Sequence, residues 1–237
     1  MEVTFNVVYL IVVWGLVIVM ARRESAVARE DLRVARLIRW AFTFLALGDT
    51  GHVGFRVLAF AQRDLEATIS LLGREFGLVG LGALSTALHV TIFYVLMLEI
   101  WRVRFDKKYG PFEYLLLAAA VLRLLIMIPA ANQWNNTVPP QPWSLYRNLP
   151  LTVLGLGIAY LILRDARRAG DRPFVWIGIS ILVSYAMYIP VILFVQQVPT
   201  IGMLMIPKTM AYVAIGFIAY FSLYRQPAAV EEPATAG

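Results

Sequence analysis

The sequence predicts an all-α membrane protein, a single bundle of seven transmembrane helices with the N-terminus outside and the C-terminus in the cytoplasm. Three observations predict this fold. Of the 237 residues, 60% are apolar and 15% are charged, whereas a soluble domain is roughly half apolar and a quarter charged. Apolar stretches close to the ~20 residues that cross a bilayer recur seven times. The basic residues fall in alternate loops, which is the pattern of the positive-inside rule.

The seven predicted spans follow one another with short connections. They cover residues 3–21, 38–61, 78–101, 112–131, 149–163, 174–196 and 201–223, the fifth being the shortest. The first span lacks the basic n-region and the small-residue cleavage site of a signal peptide. Residues 1–225 are therefore expected to form one transmembrane domain. Residues 226–237, rich in Ala, Pro and Glu, are expected to form a disordered cytoplasmic tail.

The orientation follows from the lysines and arginines. Loops one, three and five and the tail hold most of them: Arg22, Arg23, Arg29, Arg33, Arg36, Arg39, Arg102, Arg104, Lys107, Lys108, Arg164, Arg167, Arg168, Arg172 and Arg225. The opposite side has Arg63, Arg74 and Arg147. Because basic loops stay in the cytoplasm, the N-terminus is predicted to lie outside. The composition excludes a nucleic-acid-binding protein, and the absence of cysteine excludes disulfides and thiolate metal sites.

Glu99 lies near the cytoplasmic end of the third span, beside Arg102, and is expected to be interfacial. Six further ionisable residues lie deeper inside the predicted spans: Asp49, His52, Arg56, His89, Arg123 and Lys208. A charge at the bilayer centre costs about 2.5–3.5 kcal/mol, so such residues face the bundle interior and mark function. At a rise of about 1.5 Å per residue, all six lie between the midplane and the outer surface. Three cations against one carboxylate leave an excess of positive charge. We therefore expect a polar, net-basic cavity in the outer half of the bilayer, which accepts an anionic or amphiphilic ligand.

The candidate site residues fall into two groups. Proposed catalytic residues are Asp49, His52 and His89, and proposed ligand-binding residues are Arg56, Arg123, Asn132, Trp134, Tyr185, Tyr188 and Lys208. The two tyrosines precede Pro190, and Asn132 and Trp134 belong to an outer loop that caps the cavity. Gly48, Gly51 and Gly54 interleave with the polar face of the second span and let a neighbouring helix approach closely. No metal site is predicted, but a metal bound by Asp49, His52 and His89 stays an alternative.

The chain resembles a family of uncharacterised bacterial seven-helix membrane proteins. The matching stretches are Gly48-Asp49-Thr50-Gly51-His52 with Arg56, Phe93-Tyr94-Val95-Leu96 with Trp101-Arg102, Asn132-Gln133-Trp134 and residues 201–209 around Pro207-Lys208. This resemblance implies the fold and an integral protein of a bacterial cytoplasmic membrane. A shorter pattern, Gly48-Asp49 followed by Gly77, Gly80, Gly82, His89 and Tyr94, resembles the lysoplasmalogenase family, whose members have eight spans. That likeness implies cleavage of a vinyl-ether lipid.

The sequence is compatible with three main functions and one less favoured alternative. The first is a lipid-handling protein, in its enzymatic form a hydrolase in which Asp49 activates water and His52 or His89 is the acid. The second is a transporter or receptor for a small organic anion, and the third is a structural or accessory membrane subunit. A fourth, less favoured alternative is a rhodopsin-like protein with retinal on Lys208. The expected partners are membrane lipids and an anionic or amphiphilic small molecule.

Overall fold

The computed structural model describes residues 2–71, 74–136 and 140–225, so the predicted tail at 226–237 lies outside the described residues. The described chain is mostly helical. Its seven α-helices are α1 (Glu2–Arg22), α2 (Leu32–Ala61), α3 (Leu78–Arg104), α4 (Pro111–Met127), α5 (Trp143–Ala169), α6 (Arg172–Phe194) and α7 (Met205–Ala219). Two short strands, β1 (Thr68–Leu71) and β2 (Arg74–Gly77), form an antiparallel hairpin between α2 and α3.

Five helical segments of the described chain are long and apolar enough to cross a membrane: Phe5–Arg22, Leu78–Arg104, Trp143–Ala169, Arg172–Phe194 and Pro199–Tyr224. Helix α4 is shorter, with 17 residues. Helix α2 is long, but Asp49, His52 and Arg56 interrupt its apolar sequence. The prediction of a helical integral membrane protein is therefore confirmed. The number of seven spans and the direction of the termini stay predictions.

Helix α5 differs most from its predicted span. It runs for 27 residues and begins at Trp143, not at 149, and it ends six residues later than expected. Pro150 lies inside it. Because proline has no N–H group to donate, it is common in the first turn of a helix, and the sequence therefore indicated a helix start near this residue. Arg147 and Asn148, which the sequence analysis placed in the outer loop, are buried in the second turn of this helix. The β-hairpin was not predicted either.

Helices α2 and α3 pack with their backbones in close contact. A Cβ on Gly48 would lie 2.6 Å from His89 Cβ, and one on Gly51 would lie 2.3 Å from Ser85 Oγ. From the other side, Gly82 of α3 faces the backbone of His52. Thr86 Oγ1 donates a hydrogen bond of 3.1 Å to the carbonyl of Gly48. The predicted close approach is confirmed for Gly48 and Gly51, whereas Gly54 has no neighbour within 4 Å of its Cβ position.

Several acidic residues at the arginine-rich ends of the helices are paired. Asp165 is 3% exposed and accepts hydrogen bonds from Trp101 Nε1 at 2.9 Å and Arg164 Nη2 at 2.7 Å. Arg104 joins α3 to Asp171, with Nε 2.8 Å from Oδ2, and also pairs with Asp31. Glu99 accepts from Arg102 at 2.6 Å. Asp165, Asp171 and Glu99 are therefore each neutralised by a neighbouring arginine.

Candidate functional site

Asp49 lies in the middle of α2, where it is anchored by a residue of α1. Tyr9 Oη donates a hydrogen bond of 2.6 Å to Asp49 Oδ2. The Asp49 carboxylate also lies close enough to the Lys208 ammonium on α7 and to the His89 ring on α3 to interact with both electrostatically. Residues of α1, α2, α3 and α7 thus lie near one another around Asp49.

Lys208 occupies the first turn of α7 and faces two aromatic rings. Its Nζ lies 4.2 Å from the ring centroid of Tyr188 and 5.7 Å from that of Tyr212. A cation over a tyrosine ring is attracted by the negative face of the ring. This contact holds the ammonium in place without cancelling its charge.

Four tyrosines surround this point, and we call them the tyrosine cluster: Tyr94, Tyr185, Tyr188 and Tyr212. The hydroxyls of Tyr94 and Tyr212 are 3.0 Å apart. Tyr185 donates to the carbonyl of Leu151 at 2.8 Å, and Tyr188 donates to Asn148 Oδ1 at 3.0 Å. Tyr185 and Tyr188 were predicted site residues. Tyr94 and Tyr212 were not placed in the site, although the spacing of Tyr212 four residues after Lys208 puts the two on one helix face.

Arg123 of α4 is 2% exposed and makes its hydrogen bonds to neutral oxygens. Its Nη1 donates to Thr91 Oγ1 at 2.6 Å, and its Nε donates to the carbonyl of Arg147 at 3.0 Å. These bonds tie α4 to α3 and α5. Arg123 also lies within Coulombic range of Lys208.

Arg147 is a second buried arginine beside Arg123, and the sequence analysis missed it. It is 7% exposed, and its guanidinium carbon lies 4.3 Å from the ring centroid of Trp134. Within the described chain, its Nη1 has no hydrogen-bond partner. The signal in the sequence is Pro142, because proline is common at the start of a helix and the Trp-Ser-Leu-Tyr-Arg-Asn run follows it directly.

The other predicted residues lie at the edges of this arrangement. Trp134 Nε1 donates to the carbonyl of Met127 at 3.1 Å, so the loop is fastened to the end of α4. Asn132 is buried, and its Nδ2 donates to the carbonyls of Ile126 and Pro129. This amide caps the helix end, which is a structural role. His52 and Arg56 follow Asp49 on α2, and both are half-buried.

The described residues do not support the metal alternative. They contain no group of three or more His, Asp or Glu side chains placed to hold a metal ion. His89 Nδ1 lies 2.8 Å from the carbonyl of Ser85, one turn back on its own helix. Two surface cavities of the described chain lie elsewhere, one at the end of α3 near Arg104 and one along the surface of α5.

The site is a polar layer within the bundle, in which Arg123 and Arg147 are buried and Asp49 and Lys208 are half-buried. We call Asp49, Arg123, Arg147, Lys208 and the tyrosine cluster together the polar layer. It contains three basic side chains and one carboxylic acid, which gives a formal excess of two positive charges. Chemically, such a layer is suited to binding an anion.

A comparison of the chain with protein families, with curated proteins and with solved structures finds no match. Both family resemblances therefore stay predictions.

Proposed function

We propose that the polar layer binds an anionic, amphiphilic ligand within the membrane. The observation that carries this proposal is the excess of positive charge: Arg123, Arg147 and Lys208 are brought together with Asp49 as the neighbouring carboxylate. Burying an unpaired charge costs several kcal/mol, so an anion that enters the layer is strongly favoured.

The ion pairs of the described chain support this reading. Those within 4.0 Å join other residues, and none of them involves Arg123, Arg147 or Lys208. Arg123 is fixed by neutral oxygens and Lys208 by aromatic rings. The cations are thus held in position while their charge stays available, which lowers the entropic cost of binding.

An amphiphile fits this layer better than a fully hydrophilic anion. Helices α1, α3, α5 and α6 and the Pro199–Tyr224 segment are apolar enough to cross a membrane, so a ligand can reach the layer from the bilayer with its chain among apolar side chains. A phosphate or carboxylate head can then accept hydrogen bonds from the arginines. Transport of such an anion uses the same residues, and hydrolysis additionally requires Asp49 to activate water.

The experiment is ligand-dependent thermal stabilisation of the purified protein in a neutral detergent. Monododecyl phosphate is the probe, and inorganic phosphate and a dodecyl trimethylammonium salt are the comparisons. We expect the alkyl phosphate to raise the unfolding temperature most, because it supplies both the charge and the chain.

Lys208→Met and Arg147→Gln remove one charge each and should weaken binding about tenfold or more. Lys108→Met is the matched control, since Lys108 is exposed at the opposite end of the bundle. Equal stabilisation of Lys208→Met, Arg147→Gln and the parent protein would contradict the proposal, as would equal stabilisation by the cationic amphiphile. Release of a headgroup from lysophospholipids that is lost in Asp49→Asn would identify the enzymatic form.

A further inference from the structure

A groove runs along the outer surface of the bundle between α5 and α6. Its volume is about 440 Å³, and it is lined by Leu156, Tyr160, Leu163, Arg164 and Arg167 of α5 and Leu182 of α6. Both helices are long and apolar enough to cross a membrane. The groove is therefore apolar along its length and basic at one end, the end that the positive-inside rule assigns to the cytoplasm.

The basic end of the groove has an uncompensated positive charge. Arg164 is 2.7 Å from Asp165, which neutralises it, and its guanidinium carbon lies 5.6 Å from the Tyr160 ring centroid. Arg167 is exposed, and no carboxylate of the described residues lies within 4.0 Å of it. The Arg167 guanidinium is thus available to bind an anion beside the apolar lining.

The groove continues into an exposed apolar stripe on α5. Leu149, Val153, Leu156 and Tyr160 are 50%, 49%, 36% and 55% exposed, and their spacing places them on one helix face. From Tyr160 to Leu149 the stripe rises about 16 Å. That length matches the hydrocarbon depth of one leaflet, about half of the 30 Å core.

We propose that this groove binds one anionic phospholipid of the leaflet on the arginine-rich side. The phosphate lies against Arg167 and the outer edge of Arg164, and one acyl chain lies along Leu156, Leu163 and Leu182. Basic clefts between membrane helices bind anionic headgroups by this combination of charge and apolar contact. The site is separate from the polar layer, and the inference does not rest on the proposed function.

The test is native mass spectrometry of the full-length protein with equal amounts of phosphatidylglycerol and phosphatidylcholine of the same acyl chains. We expect retained lipid to favour phosphatidylglycerol. Arg167→Gln should lower the ratio of the two adducts about fivefold. Arg168→Gln is the matched control, because Arg168 is the exposed next residue and does not line the groove.

Two further arms separate the possible outcomes. An excess of glycerol phosphate should not displace the lipid, since the acyl chain contributes to binding. Lys208→Met tests the polar layer separately: a fall in the adduct ratio with Lys208→Met but not with Arg167→Gln would place the lipid in the polar layer and overturn the inference. Equal retention of both lipids, the same loss in Arg168→Gln, or displacement by glycerol phosphate would overturn the inference.

Discussion

The contact between Gly80 and the loop after α4 gives a sharp prediction about a single methyl group. A Cβ on Gly80 would lie 1.4 Å from the carbonyl oxygen of Trp134, a backbone atom. Real Cβ contacts are not found below 3.0 Å, so the loop must move by about 1.6 Å away from α3. That movement strains the hydrogen bond from Trp134 to Met127.

The expected cost follows from opposing contributions. Overpacking costs about 1–3 kcal/mol, and weakening the Trp134 hydrogen bond costs up to about 1 kcal/mol. Replacing glycine by alanine inside a helix stabilises the helix by about 1 kcal/mol. Gly80→Ala should therefore lower the free energy of unfolding by about 2 kcal/mol, which corresponds to a fall of about 5 °C in Tm.

The matched control is the same substitution at Gly54, which has no neighbour within 4 Å of its Cβ position. Gly54→Ala should raise Tm, because only the helix propensity changes. The assay is thermal unfolding in detergent followed by far-ultraviolet circular dichroism. The reasoning is refuted if Gly80→Ala is as stable as the parent, or if both variants shift Tm in the same direction.

Two further predictions concern the arginine-rich end of the bundle. Trp101→Phe removes the donor to buried Asp165 and should lower the free energy of unfolding by about 2 kcal/mol. Trp176→Phe, at a 59% exposed position, should be nearly neutral. Chemical unfolding compares the two variants, and equal losses of stability would contradict the role of the Trp101 hydrogen bond. Burial and the hydrogen bond to Glu99 raise the pKa of Tyr109 to about 12. Because this folded-state pKa exceeds the ordinary value near 10, the stability that Tyr109 contributes is complete below pH 10 and is lost as the pH rises through about 12. A pH titration followed by phenolate absorbance should therefore show a transition near pH 12 that is missing in Tyr109→Phe. In Glu99→Gln the midpoint of that transition should be lower. An unchanged midpoint in Glu99→Gln would contradict the role of the hydrogen bond.

The helices were predictable because apolar length is a local property of the sequence. Each predicted span overlaps one helix of the structure, and the ends agree best at Ala61 and Leu78, where the predicted and observed bounds coincide. The predicted start of α5 was wrong because buried polar residues such as Arg147 are typical of loops in the sequence until their tertiary partners are known. The hairpin before α3 lacked any strong turn signal.

The candidate site was predictable in part for the same reason. Asp49, Arg123 and Lys208 stood out because charges in apolar spans are rare. Tyr9 and Tyr94 did not, since tyrosine is common near membrane surfaces and only the fold shows that these two hydroxyls point inward. The capping role of Asn132 likewise depends on where α4 ends.

The glycine contacts between α2 and α3 limit how the protein can change shape. With Gly48, Gly51 and Gly82 meeting the opposite helix directly, sliding one helix past the other would drive side chains into backbone. These two helices therefore move as a single rigid unit. If the polar layer binds a ligand as proposed above, we expect the rearrangement that admits it to take place where other helices meet this pair, at α4 and α7, the helices that present Arg123 and Lys208.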